Sequence, residues 1–215
     1  YFKCSNPAAP LLRNGVPVQV DDEAYFTDLM ADEAQRFIRD VEGKPFFLYF
    51  STFALHAPFQ CPEPYIVPGE HTYTGMIRSL DNAVGVILDT REQTHNLDNT
   101  LIFFLNDNGV VNKLGDHGFD NRPVRDGQAS YYECGIRVPF AVRWPKQIQG
   151  GRVYNHPVSS LDILPTLAAA AGVPLPEDRD FDGVDLLPYL QSEVSDRPHD
   201  KLFWRANWGH AVRKG

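Results

Sequence analysis

Asp107 and Asn108 stand side by side just after five consecutive large apolar residues, Leu101-Ile102-Phe103-Phe104-Leu105. A carboxylate and an amide next to each other offer two hard oxygen donors, the ligand type that suits Ca²⁺ or Mg²⁺. The apolar run lies between Asp98-Asn99 and Gly109 and reads as a strand buried on both faces, as central parallel strands are. Ligands of open α/β sheets bind at the carboxyl ends of strands, which is where this pair falls. Asp-Asn-Gly also has the chemistry of a turn, each residue favouring local hydrogen bonding or positive φ. The nonapeptide by itself supports either reading.

A second candidate follows another apolar run, Phe46-Phe47-Leu48-Tyr49-Phe50-Ser51-Thr52, opened by Pro45. The loop Phe53-Ala54-Leu55-His56-Ala57-Pro58-Phe59 after it reaches the same edge if the two strands are parallel. His56 there carries an imidazole that can exchange protons near neutral pH; the plainer reading is a loop histidine bonded to backbone. Residues 110–135 form a glycine- and charge-rich connection, longer than loops usually are without a job. It holds His117 in Gly115-Asp116-His117-Gly118, together with Lys113, Arg125, Gln128 and Glu133. Glu133 and Arg137 read as braces of this loop. Lys113 and Arg125 read as solvated or structural, and His117 as a glycine-turn residue unless it faces a ligand.

The elements that must position these groups are legible from periodicity. Glu23 to Val41 is helical, with Ala24, Leu29-Met30, Ala34, Phe37-Ile38 and Val41 at three-to-four spacing and acids in the first turn. Gly43 suits the position just past its end. Cys61 to Gly69 is proline-rich and irregular. Tyr73 to Leu88 forms the clearest helix, with a stripe of Met76, Ile77, Leu80, Val84, Ile87 and Leu88, and with Asp81 beside it in a structural role. The strand at 101–105 then completes a strand–helix–strand unit. Val138 to Trp144 is a third strand. Ser159 or Ser160 caps a helix running to Ala171, with Pro165 tolerable only near its first turn.

The chain has 215 residues, enough for one sizeable α/β core. Its net charge of −8 argues against a nucleic-acid partner. Cys4, Cys61 and Cys134 are an odd number without a CxxC pair, which disfavours a zinc site or a disulfide framework. No apolar run approaches the ~20 residues that span a bilayer, and no signal peptide is recognisable. The start at Tyr1 without an initiator methionine, and the strand-like end at Ala211 to Gly215, are expected of a portion of a longer protein.

In order along the chain, four segments resemble the type I sulfatases of the alkaline-phosphatase superfamily. They are Pro45 to Tyr49 with Ala54-Leu55-His56-Ala57-Pro58; Tyr73 to Gly85; Asn99 to Gly109; and Arg125 to Pro139, which resembles an Arg-x-Gly-Lys…Tyr-Glu-Gly-Gly-Ile-Arg-Val-Pro block. Ser160 to Thr166 and Asp182 to Leu186 continue the match. The resemblance implies an α/β fold with a largely parallel sheet flanked by helices, incomplete in this chain. Residues 1–200 would be the C-terminal part of the catalytic domain and 201–215 the start of a small C-terminal subdomain. It also implies a metal-dependent sulfuric ester hydrolase whose nucleophile is a formylglycine hydrate. By position, Asp107 and Asn108 would be ligands of Ca²⁺ or Mg²⁺, and His56 the catalytic imidazole. Gln128 and His117 would be substrate-binding.

Two departures qualify the carry-over. Neither Cys4-Ser5-Asn6-Pro7 nor Cys61-Pro62-Glu63-Pro64-Tyr65 fits the family's Cys/Ser-x-Pro-x-Arg motif, so the formylglycine and the remaining metal ligands are expected upstream, in the N-terminal half of the same protein. The piece alone should hold metal poorly and not turn over, and its exposed sheet edges point to self-association. The second departure is Gln128, where the family usually has lysine. A phosphodiester or phosphonate hydrolase on the same fold, and a lapsed homologue binding sulfated glycans, are the competing expectations. The family is commonly exported to the periplasm or beyond.

Overall fold

The computed structural model describes residues 10–94, 96–111, 121–206 and 208–215. These group into two compact units divided between Leu97 and Asp98. His117, Lys113 and Cys4 lie outside the described residues.

The first unit begins with a two-residue hairpin, β1 (Leu12–Arg13) and β2 (Val16–Pro17), turned by Asn14-Gly15, both at positive φ. Its body is two packed helices, α1 (Phe26–Asp40) and α2 (Thr72–Gln93). On α1, Thr27, Ala31, Ala34 and Ile38 are buried, a stripe of spacing four, three and four that faces one side. The buried side of α2 differs from the expected one. Gly75, Met76, Ser79, Ala83 and Thr90 are buried, whereas Ile77 is 44% exposed. Gly75 makes room for the 61–65 segment, where a Cβ would meet the Cys61 sulfur at 2.7 Å and the Tyr65 carbonyl oxygen at 3.0 Å. Polar members of this face are satisfied locally: Gln35 Nε2 donates to Thr90 Oγ1 at 3.0 Å, and Thr90 Oγ1 donates to the Val86 carbonyl at 2.7 Å.

Residues 46–50 pair with no strand among the described residues, so the strand expected there forms no ladder with any of them. Phe47 and Tyr49 on one side are 68% and 78% exposed, while Phe46 packs edge-on against Phe37 and lies under the Arg91 guanidinium. A strand needs a partner ladder as well as an apolar pattern, and only the second is encoded locally.

The second unit carries β3 (Ile102–Leu105), α3 (Glu133–Ile136), β4 (Phe140–Arg143), α4 (Ile163–Ala171), α5 (Leu187–Leu190) and a hairpin, β5 (Lys201–Ala206) with β6 (Gly209–Lys214). β3 pairs with β4 antiparallel, Ile102 opposite Arg143 and Leu105 opposite Phe140. All three ladders among the described residues are antiparallel, and the 46–52 and 101–105 runs form no ladder with each other. Among the described residues of the 106–139 connection the one helix is the four-residue α3, and an antiparallel pair needs no helical crossover. β3 is also less buried than expected, with Phe104 40% exposed.

A 3-10 turn over Ser160–Asp162 leads into α4, so the helical segment starts where the sequence places it. Ser159 caps that turn: its hydroxyl accepts from the Leu161 amide, while the Asp162 side chain accepts from the Ser159 amide. Pro165 is buried in the first turn, and Gly172 ends the helix in the left-handed region. Asp162, fully buried, gathers three segments. Its carboxylate accepts from the Ser159 amide at 2.7 Å, the Val184 amide at 2.9 Å and His199 Nε2 at 2.8 Å.

Candidate active site

β3 delivers Asn106, Asp107 and Asn108 to its carboxyl end. Asp107 Oδ1 accepts from the Asn108 amide at 2.8 Å, and Asn108 Nδ2 donates to the Gly109 carbonyl at 2.8 Å. The second commitment orients the side-chain amide: with its nitrogen engaged, Asn108 Oδ1 is the outward end. Asp107 Oδ2 and Asn108 Oδ1, on consecutive residues, take part in neither of these bonds. Asp107 is exposed and Asn108 half-buried. Both are hard donors, and an amide turned oxygen-outward suits a cation. They are two of the six or more oxygens that Ca²⁺ takes, and among the described residues no group of three or more His, Cys, Asp or Glu side chains could hold a metal.

Gly109 is not a turn glycine, since it is absent from the residues with positive φ. It is there because nothing larger fits. A Cβ on Gly109 would lie 1.5 Å from the Cys134 carbonyl oxygen. The strand end is thus clasped by the 125–136 loop, with the Gly109 amide donating to the Gly135 carbonyl at 3.2 Å and the Gln128 amide to the Val110 carbonyl at 2.9 Å. Gly135 is equally constrained, its Cβ position falling 2.3 Å from the Ser130 carbonyl oxygen and 2.6 Å from that of Gly127. The Cys134 amide closes the loop onto the Arg125 carbonyl at 3.1 Å. Asp126 and Ala129, at φ 68° and 65°, bracket Gly127-Gln128.

The backbone tie at Val110 brings Gln128 next to the strand end that bears Asp107 and Asn108. The Gln128 side chain is exposed. Around it, the Arg125 guanidinium stacks on the Tyr132 ring at 3.7 Å, and Arg137 and Arg213 both donate to Glu133, at 3.3 and 2.8 Å. Glu133 and Arg137 thus brace the loop as expected. Tyr131 was not singled out from sequence, yet its hydroxyl donates to the Gly209 carbonyl at 2.6 Å. Nothing local marks that bond, because its partners are 78 residues apart.

His56 lies in the other unit, in a turn where its amide donates to the Phe53 carbonyl at 3.1 Å and Leu55 takes φ 75°. The imidazole is exposed, and its Nδ1 lies 2.7 Å from the Ala57 carbonyl. A carbonyl can only accept, so that contact places the proton on Nδ1 and leaves Nε2 open. The bond to backbone that the plainer reading anticipated is present, and it also presets one tautomer.

A profile of the family described as Sulfatase matches residues 3–173. The chain belongs to the sulfatase family. Human steryl-sulfatase is 36% identical over 194 residues, 87% of this chain and 33% of that protein. Human N-acetylgalactosamine-6-sulfatase is 36% identical over 180 residues, 82% of this chain and 34% of that protein. The chain therefore spans about a third of the length of these relatives. Among solved structures, Ps i-CgsB in complex with k-i-k-neocarrahexaose superposes with a TM-score of 0.83 at 33% identity, over 95% of this chain and 47% of that one. PsFucS1 sulfatase from Pseudoalteromonas sp. superposes at 0.81 with 26% identity, over 92% and 41%. The fold is accordingly the α/β sulfatase fold, present in part. No described helix is long and apolar enough to cross a membrane.

Proposed function

We propose that the intact protein hydrolyses sulfate esters and that this chain contributes one side of its reaction centre. The observation that carries the reading is the consecutive carboxylate and amide, Asp107 and Asn108, just past the carboxyl end of β3 in a chain of the sulfatase family.

Asp107 and Asn108 would hold Ca²⁺ or Mg²⁺, with further ligands from the N-terminal half of the protein. When bound, the ion supplies Lewis-acid stabilisation of negative oxygen. The nucleophile, a formylglycine, is assigned to the N-terminal half, which makes the chain alone inactive. His56 contacts the sulfate group and handles the proton of the leaving oxygen through Nε2, its tautomer set by the Nδ1–Ala57 bond. Gln128 orients a sulfate oxygen by donating from its amide. His117 belongs to the same substrate side by family position. Export to the periplasm or beyond accompanies this assignment.

A second reading rests on Gln128. A neutral amide where the family usually has lysine weakens the hold on a developing charge, since charged hydrogen bonds contribute ~1.5–3 kcal/mol against ~0.5–1.5 for neutral ones. A lapsed homologue that binds sulfated glycans without cleaving them would tolerate that change.

The deciding experiment uses the intact protein with aryl sulfate and aryl phosphate as substrates. Turnover of the sulfate ester together with stoichiometric metal is expected. Replacement Asp107→Ala should lower metal affinity and rate by more than about 100-fold, because losing even an outer-shell partner costs 10–100-fold. Unchanged metal content and turnover in that variant refute the ligand assignment. Cleavage of the phosphate ester alone moves the protein to phosphoryl chemistry, and sulfated-glycan binding without any turnover favours the binder.

A further inference from the structure

The loop that carries Gln128 is held from two sides, and only one of them is the strand bearing Asp107 and Asn108. On the inner side are the Gln128–Val110 and Gly109–Gly135 backbone bonds and the Asn121 Nδ2 donation to the Asp126 carbonyl at 2.8 Å. On the outer side is the β5–β6 hairpin. The Tyr131 hydroxyl donates to the Gly209 carbonyl at 2.6 Å, at the first residue of β6. Four residues on, Arg213 donates to Glu133 Oε1 at 2.8 Å, while Arg137 donates to Glu133 Oε2 at 3.3 Å. Gly209 admits the Tyr131 ring closely, a Cβ there falling 3.3 Å from the ring's Cε2.

This outer support has a reason to exist. Asp126 and Ala129 hold positive φ without being glycine, a conformation that persists only where the surroundings over-determine it. Both bracket Gln128. A loop relaxing at those two residues would swing the Gln128 amide away from the strand end.

We propose that the β5–β6 hairpin positions the Gln128 loop, with Tyr131 and Arg213 as positioning residues acting through Gly209 and Glu133. The catalytic consequence rests on the reading above, in which Gln128 meets the ester; the mechanical part does not. No single contact is strong. The Arg213–Glu133 pair is about 40% exposed on each side, 41% and 39%, and an exposed ion pair is worth little by itself. The effect comes from two contacts on one paired hairpin acting on residues two apart.

The test uses the intact protein and the variants Tyr131→Phe, Arg213→Ala, Arg213→Lys and Gln128→Ala. Hydrogen exchange reads the mechanical part. Exchange of the Gln128 and Cys134 amides should quicken about three- to tenfold in Tyr131→Phe and Arg213→Ala. The β3–β4 amides should stay unchanged, and Arg213→Lys should restore much of the protection. Unchanged exchange at Gln128, or equal quickening in β3–β4, overturns the proposal whatever the activity. Kinetics with aryl sulfate reads the consequence. Arg213→Ala should raise KM and lower kcat/KM several-fold in the wild-type background, and do nothing further in a Gln128→Ala background. Additive losses overturn the route through Gln128. If exchange quickens as expected while the wild-type protein turns over no sulfate ester, the positioning role stands and the hydrolase reading fails.

Discussion

Replacing Gly109 by alanine tests the joint on which the candidate site depends. The added methyl would sit 1.5 Å from the Cys134 carbonyl oxygen and 2.7 Å from its carbon, where ordinary contact begins at 3.4 Å. Both obstacles are backbone, so no side chain can swing aside, and the loop must retreat by about 2 Å. That retreat breaks the Gly109–Gly135 bond and strains the Gln128–Val110 bond. Two backbone hydrogen bonds at ~1 kcal/mol each, plus ~1–3 kcal/mol of overpacking, give a loss of roughly 3–5 kcal/mol. Against a usual total of ~5–15 kcal/mol the loss is large. Urea titration of the intact protein should show it as a lower midpoint at similar slope, with metal affinity falling alongside. Gly150→Ala is the control, because its Cβ would meet nothing within 4 Å and its φ is not positive. An unchanged midpoint for Gly109→Ala, or an equal loss in the control, would refute the packing argument.

Three further outcomes follow from other contacts. Gln128→Lys adds a charge beside the strand end and should raise kcat/KM for a sulfate ester about tenfold; no change or a fall would place Gln128 away from the ester. Burial pushes the Asp28 carboxyl above its usual range, opposed by hydrogen bonds from Tyr65 and Ser79. Its ionised form is then the costly one, the cost being absent below the unfolded-state pKa and growing as pH rises through the folded-state value. Asp28→Asn should therefore raise Tm by about 1–2 °C at pH 7 and leave it unchanged near pH 3, and a lower Tm at pH 7 would contradict this. Asp162→Ala orphans the Ser159 and Val184 amides and His199 Nε2 in a buried place. Calorimetry should register a loss of about 3–5 kcal/mol, and a loss below ~1 kcal/mol would show that the three donors find other partners.

Much of the secondary structure was legible in advance because its causes are local. Residue spacing sufficed for α1 and α2, the Ser159-Ser160 pair and Ala171 marked the limits of the 160–171 helical segment, and the apolar runs matched β3 and β4. Placing Asp107-Asn108 at a strand end needed only the adjacent hydrophobic residues. The buried face of α2 was misread toward its larger side chains, because the size of the opposing helix surface is not written in α2 itself.

What the residues determined alone was which segments could be helix or strand, and which oxygens could meet a cation. Tertiary structure alone decided which strands pair: the 46–50 run has strand composition but no ladder among the described residues, while β3 found its partner antiparallel. It alone showed that Gly109 is required for close approach rather than for a turn, and that Tyr131 and Glu133 answer to a hairpin 78 and 80 residues away. Periodicity reports the environment of one element. Pairing, clearance and long-range hydrogen bonds depend on a second surface that no local pattern encodes.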